Sequence, residues 1–172
     1  MLKHQRRFWD MPNRIVLLIG GYGSGKTYIG ALKSLYMSYL NAPVPGMYVS
    51  PSHQLATKTI IITLKELCNR AGINFTYNQQ RSEFIFHNWG GKLWLGSGDK
   101  PDSLRGPNIG WAVIDEPFIQ KREVFEQMIA RVRHPEAKKS QIFLTGTPEQ
   151  LNWGFTLAND PDMDIGVVQA ST

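Results

Sequence analysis

From Leu17 to Gly30 the chain reads LLIGGYGSGKTYIG, which packs four glycines into the six residues Gly20 to Gly25, directly between an apolar run and a helical pattern. Ile15-Val-Leu-Leu-Ile19 is short, continuous and apolar, as suits a strand buried on both faces of a parallel sheet. From Lys26 onward Ile29, Leu32, Leu35, Tyr36 and Tyr39 recur at helical spacing until Pro43, Pro45 and Gly46 end the helix. Gly20, Gly25, Lys26 and Thr27 fit G-x-x-x-x-G-K-[ST], and a strand before it and a helix after it are the context this pattern requires. Gly20, Gly21, Gly23, Ser24 and Gly25 would curl backbone N–H groups around phosphate oxygens, with the positive end of the helix behind them. Lys26 is then placed to bridge β and γ phosphates and Thr27 to offer its hydroxyl to Mg²⁺, so ATP and Mg²⁺ are the expected ligands. The dinucleotide pattern G-x-G-x-x-G is absent, because Lys26 stands three residues after Gly23.

The rest of the chain repeats the alternation. Met47-Tyr-Val49 reads as a strand, Ser50-Pro-Ser52 as a helix entry, and Ile60, Leu64, Leu67 and Ala71 as one helical face that ends at Gly72. Phe75 to Tyr77, Glu83 to Phe86 and Lys92 to Leu95 read as short strands, with a turn at Asn88 to Gly91, and predict an antiparallel excursion. Trp111-Ala-Val-Ile114 and Gln141-Ile-Phe-Leu144 are two further buried strands, on either side of a helix face of Val124, Phe125, Met128, Ile129 and Val132. The expected fold is therefore α/β, with a mainly parallel central sheet flanked by helices. With 172 residues, 42% of them hydrophobic, the chain is expected to form a single domain over residues 1–172.

Binding ATP does not imply splitting it. Trp111-Ala-Val-Ile-Asp115-Glu116 puts two carboxylates where a buried strand emerges, Asp115 suited to hold Mg²⁺ and Glu116 to deprotonate an attacking water. Leu144-Thr-Gly-Thr-Pro148 is a hydroxyl-bearing turn at a third strand end, able to touch the γ-phosphate or the water, or to be a plain turn.

Taken together, these stretches resemble the ATPase domain of the large terminase subunit, the genome-packaging motor of tailed bacteriophages. The resemblance implies a P-loop NTPase fold of the ASCE or RecA-like kind and a Mg-dependent ATPase coupled to translocation of double-stranded DNA. Leu2-Lys-His-Gln5, followed by Phe8 and Trp9, matches the family's N-terminal glutamine motif and makes Gln5 the adenine candidate. Thr145-Gly146-Thr147 matches the coupling motif, and Met47-Tyr-Val-Ser-Pro-Ser-His53 resembles a segment of helicase-like relatives. Ser103-Leu-Arg105-Gly-Pro-Asn108 resembles the family's "RG" signature, which implies that Arg105 acts in trans on a neighbouring subunit's ATP; a solvated loop arginine or a DNA-phosphate contact are the alternatives. Many family members carry an arginine in the glycine loop where this chain has Tyr22, which cannot supply that charge. The resemblance further implies self-association into a ring at the portal, contacts with the portal protein and the small terminase subunit, and a location in the host cell cytoplasm, transiently at the viral procapsid. Val167 to Thr172 resembles the passage into a linker towards a nuclease domain, whose activity is not expected in this chain. A helicase-like remodelling ATPase and an ATP-dependent assembly switch share the same motifs.

The remaining features carry less. Nineteen Lys and Arg against fourteen Asp and Glu give a net charge of +5 and suit an acidic partner such as nucleic acid. Arg131, Arg133, Lys138 and Lys139 either track phosphates or solvate a helix end. Asp160-Pro-Asp162-Met-Asp164 has its glycine one place too late for a calcium loop, and reads as a solvated acidic turn. His4, His53, His87 and His134 lack metal-ligand spacing, and the single Cys68 excludes an intrachain disulfide. Trp153 and Phe155 are candidates for an exposed or subunit-contact position. No apolar run approaches the ~20 residues of a membrane span, so no membrane partner is expected.

Overall fold

The computed structural model describes residues 1–106, 108–147 and 153–170, apart from the side chain of Phe155. The chain runs α1 (Lys3–Asp10), β1 (Ile15–Gly20), α2 (Lys26–Asn41), β2 (Gly46–Ser50), α3 (His53–Lys58), α4 (Ile60–Ala71), β3 (Phe75–Asn78), β4 (Glu83–Phe86) and β5 (Gly91–Ser97). It continues through β6 (Trp111–Asp115), α5 (Arg122–Arg131), β7 (Ile142–Gly146), α6 (Trp153–Ala158) and β8 (Ile165–Ala170), with short 3₁₀ turns at Pro101–Leu104 and Pro117–Ile119. Among the described residues eight strands form one sheet in the order β3-β4-β5-β2-β6-β7-β1-β8. Of its pairs there, β3–β4 and β4–β5 are antiparallel and the others parallel, so the expected excursion returns through β5 to the parallel part beside β2.

Period-two alternation divides the core between the two faces of the sheet. Val16, Leu18, Trp111, Val113 and Phe143 pack under α1, α2 and α4, whereas Ile15, Leu17, Ala112, Ile114, Ile142 and Leu144 pack under α5. β7 lies between β1 and β6, in register with both: Thr145 pairs with Leu18 on one side and with Asp115 on the other. The glycine-loop strand and the carboxylate strand therefore end at the same edge, with a threonine between them.

The structure differs from the sequence reading at three places. Residues 3–10 form a helix that seats Phe8 edge-on against Phe143 at 5.7 Å. The helix entered at Ser52, whose hydroxyl accepts from the Leu55 N–H, breaks at Thr59 (φ −125°, ψ −86°), giving α3 and α4 instead of one helix; the Thr59 hydroxyl donates to the Leu55 carbonyl there. Val167 to Thr172, read as the start of a connector, lies largely within β8, which pairs in parallel with β1 from Ile15–Ile165 to Gly20–Ala170; Ser171 and Thr172 fall outside the described residues. No helix among the described residues is long and apolar enough to cross a membrane.

Lys33 brings a cation into this core. Lys33, 1% exposed, donates to the Trp9 carbonyl at 2.8 Å, with the Trp9, Phe143 and Tyr36 rings 4.6, 4.9 and 5.5 Å from its nitrogen. Burial first, and then the charge of Lys139, lowers its pKa to about 8 against a partial offset from Asp10. The unfolded chain thus binds the proton more tightly, so the cost of the buried charge is present in full below pH 8 and disappears as the pH rises towards 10.5. Wild type should therefore gain stability relative to Lys33→Met as the pH is raised through that window, by a melting-temperature difference on the order of 5 °C. Parallel melting curves for the two proteins at several pH values check this, and a constant difference would place the charge in a neutral balance.

Candidate active site

The glycine loop is built from both sides. Gly23 and Gly25 have φ of 77° and 76°, the left-handed region that a side chain disfavours, and Gly25 is the N-cap of α2. Lys26 folds back so that its amino group donates to the Gly20 and Gly21 carbonyls at 2.8 and 3.0 Å, and the Ser24 hydroxyl donates to Gly21 at 2.8 Å. From behind, α1 braces the loop: Gln5 Nε2 donates to the Gly25 carbonyl at 3.2 Å, and His4 Nε2 meets the Ser24 carbonyl at 2.9 Å, which requires the proton on that nitrogen. Gln5 Oε1 accepts from the Leu2 N–H at 2.8 Å, and the residue is 4% exposed. The adenine candidate is thus placed against the loop backbone, both ends of its amide engaged within the chain.

The carboxylates are held by the third strand end. Thr145 Oγ1 donates to Asp115 Oδ1 at 2.9 Å. Burial is the main cause that raises the Asp115 pKa, to about 6; Glu116 adds to it, while the Thr145 bond, Tyr48 and Lys26 pull the other way. The Tyr48 hydroxyl faces this carboxylate from β2 without reaching hydrogen-bond geometry, and burial followed by the Asp115 charge pushes its own pKa far up. Glu116 leaves β6 in the left-handed region (φ 45°, ψ 56°), a strained setting for a side-chain-bearing residue. Its carboxylate accepts from the Thr147 N–H at 2.8 Å and the Thr147 hydroxyl at 3.0 Å, and Lys26 Nζ stands 3.8 Å from Oε1. The Thr145-Gly146-Thr147 turn therefore grips both carboxylates; Pro148, the end of that stretch, lies outside the described residues.

Lys26, Thr27, Asp115 and Glu116 meet at a cleft of about 560 Å³, with Tyr22, Tyr28, Leu55 and Ile119 as its apolar wall. Tyr22, 81% exposed, has its ring centroid 6.0 Å from Lys26 Nζ. Arg105 is 63% exposed, pairs with Asp102 at 3.1 Å, and does not line this cleft in its own chain. Of the basic residues, Arg131 donates to the Gly106 carbonyl and Arg133 to Asn108 Oδ1, so both fasten the end of the Arg105 loop. Asp164 accepts from Asn13 and the Arg14 N–H, and no group of three or more His, Cys, Asp and Glu among the described residues is placed to hold a metal. The Trp153 ring stacks on Phe125 at 5.6 Å and is only partly exposed; the Phe155 side chain lies outside the described residues. Sequence reasoning passed over His4 and Tyr48 at the site: the first is signalled by its place beside Gln5 in one helical turn, the second only by strand pairing.

Residues 17–166 match the family model for the terminase large subunit, T4-like-virus type, N-terminal. The PBSX phage terminase large subunit of Bacillus subtilis (strain 168) is 28% identical over 141 residues, which is 80% of this chain and 32% of the relative, so the chain spans about a third of that protein's length. The large terminase of a thermophilic bacteriophage, in complex with ADP, superposes with a TM-score of 0.80 at 14% identity over 98% of this chain and 45% of that one. The large terminase ATPase domain of Thermus phage P74-26 superposes at 0.77, with 14% identity, over 99% of this chain and 81% of that one. The last two likenesses carry the fold, and the family match, which takes in the glycine loop, both carboxylates and the threonine turn, carries membership: this chain belongs to the T4-like-virus-type terminase large subunit family, in its N-terminal region.

Proposed function

We propose that this chain is the ATP-hydrolysing motor domain of a viral terminase large subunit, driving double-stranded DNA into a procapsid. The observation that carries the reading is the placement of Glu116, held by Thr147 at the cleft with Lys26 3.8 Å away. Loop N–H groups and the N-terminus of α2 attract the phosphates, and Lys26 exchanges the Gly20 and Gly21 carbonyls for phosphate oxygens. Glu116 accepts a proton from water as the water oxygen bonds to the γ-phosphorus and the bridging bond breaks, its electrons leaving with ADP.

Magnesium fits the donors present. Thr27 and Asp115 offer hard oxygen atoms at the cleft, and the hydroxyls of Tyr48 and Ser50 are buried without hydrogen-bond partners among the described residues. The β2–β6 register, Val49 opposite Ile114, puts Ser50 beside Asp115. When bound, the ion would neutralise charge on the phosphate oxygens. Thr145 and Thr147 couple the event to movement by releasing or regripping the two carboxylates. Arg105, exposed and not lining its own cleft, suits a neighbouring subunit's site in a ring at the portal, with double-stranded DNA, portal protein and small terminase subunit as partners in the host cytoplasm.

Glu116→Gln should keep ATP binding and lose steady-state phosphate release by a factor of about 10² to 10⁴; normal turnover would remove Glu116 from its role. Thr147→Val, which leaves the backbone donor in place, should lower turnover less than Glu116→Gln does, and chelation of Mg²⁺ should abolish it; both are read in the same phosphate-release assay. Arg105→Ala mixed with the finger-intact Glu116→Gln chain should recover part of the lost turnover, and no recovery under assembling conditions would argue against action in trans.

A further inference from the structure

The strained Glu116 turn is closed by Gln120. Gln120 is 8% exposed, and its N–H donates to the Pro117 carbonyl at 3.0 Å, closing the 3₁₀ turn that follows Glu116. Its Nε2 reaches back to the Asp115 carbonyl at 2.6 Å, and its own carbonyl accepts from Trp153 Nε1 at 3.0 Å. The other end of the carboxamide is different: Oε1 is buried with no hydrogen-bond partner among the described residues and presses on Gly98, where any Cβ would overlap it. Gly98 is fixed to β2 through its N–H to the Ser50 carbonyl at 2.8 Å and opens the loop that runs through Pro101–Leu104 to Arg105.

We propose that Gln120 is a positioning residue that couples the Glu116 turn to the loop carrying Arg105. This rests on the hydrolytic reading above. A shift of the Asp115 carbonyl pulls Nε2, and the carboxamide moves as one plane, so Oε1 slides against Gly98 and carries the shift into the start of the loop. Oε1 has no bond to lose on that side, so the movement meets steric contact alone. Trp153, stacked on Phe125 at 5.6 Å, ties the same backbone to α6, downstream of the threonine turn. State at the hydrolytic carboxylate and position of the arginine loop thus pass through one side chain.

The test compares Gln120→Ala, Gly98→Ala and the double variant in the whole chain. Steady-state ATP kinetics, melting temperature and hydrogen exchange of residues 98–106 in nucleotide-free protein are measured for each. Each single change should lower kcat, referred to the fraction that the melting curve shows folded at the assay temperature, at least about tenfold with KM within about twofold, which separates the effect from a loss of folded enzyme. Gly98→Ala should cost little further once Gln120 is truncated, because its Cβ then meets no carboxamide. Exchange in 98–106 should quicken in both single variants. Additive losses of kcat, or unchanged exchange, would overturn the coupling. A wild-type chain without turnover would instead remove the hydrolytic reading, while the exchange comparison would still decide the contact between Gln120 and the loop. Gln120→Met, which keeps the volume but cannot bond Asp115, replaces Gln120→Ala should that variant fail to fold.

Discussion

The site depends on one register. β7 is inserted between β1 and β6, and Thr145 pairs with Leu18 and with Asp115. This places a hydroxyl donor beside a carboxylate that is buried at the sheet edge, and each compensates for the loss of water around the other. Two residues on, Thr147 repeats the arrangement for Glu116, with a backbone and a hydroxyl donor on its two oxygens. A left-handed backbone at a residue with a side chain costs on the order of 1–3 kcal/mol, which a two-point grip can offset. Shifting β7 by one residue would turn Thr145 to the other face and leave Asp115 buried without its donor.

α2 carries a second dependence. Lys26 and Lys33 lie two turns apart on one helix and both are buried, each satisfied by a carbonyl from another element. Lys26 is held by the loop it would serve, and Lys33 by the last turn of α1. α1 is thereby fixed at three points: Trp9 to Lys33, Phe8 to Phe143, and His4 and Gln5 to the glycine loop. The loop itself has glycines where side chains would clash or strain, so its shape comes from these neighbours more than from its own sequence. Brace and anchor belong to one short helix, whose burial of a cation is costly by itself and useful for where it puts Gln5.

Much of this was legible because strands buried on both faces, β1, β6 and β7, announce themselves as apolar runs; β2 to β5 were anticipated within a few residues from short runs between turn and helix signals. The glycine loop and the Asp-Glu pair were legible for a different reason, since phosphate and carboxylate chemistry constrain residue types at fixed spacing. What escaped was decided at long range. α1 is marked by no apolar period beyond Phe8 and Trp9, because it is a brace and buries only one flank. Thr59 looks like any helical residue until its hydroxyl takes the Leu55 carbonyl and the backbone turns away. β8 has no continuous apolar run, since Gly166 and Gln169 interrupt it, and its pairing with β1 cannot be read from spacing. The threonine turn was identified, but its expected contact, if it was more than a plain turn, was with the γ-phosphate or the attacking water; its grip on the carboxylates required knowing which strand lies between which.

That grip bears on how the proposed cycle begins. With Lys26 bonded to Gly20 and Gly21 and both Glu116 oxygens accepting from Thr147, each group needed for hydrolysis is engaged with another part of the chain. Phosphate would draw Lys26 off its carbonyls and away from Glu116, so the same event that fills the cleft loosens the hold on the base. Under the proposed reading the nucleotide competes with Glu116 for Lys26, and each carboxylate oxygen keeps a lone pair for water beside the bond that it accepts from Thr147.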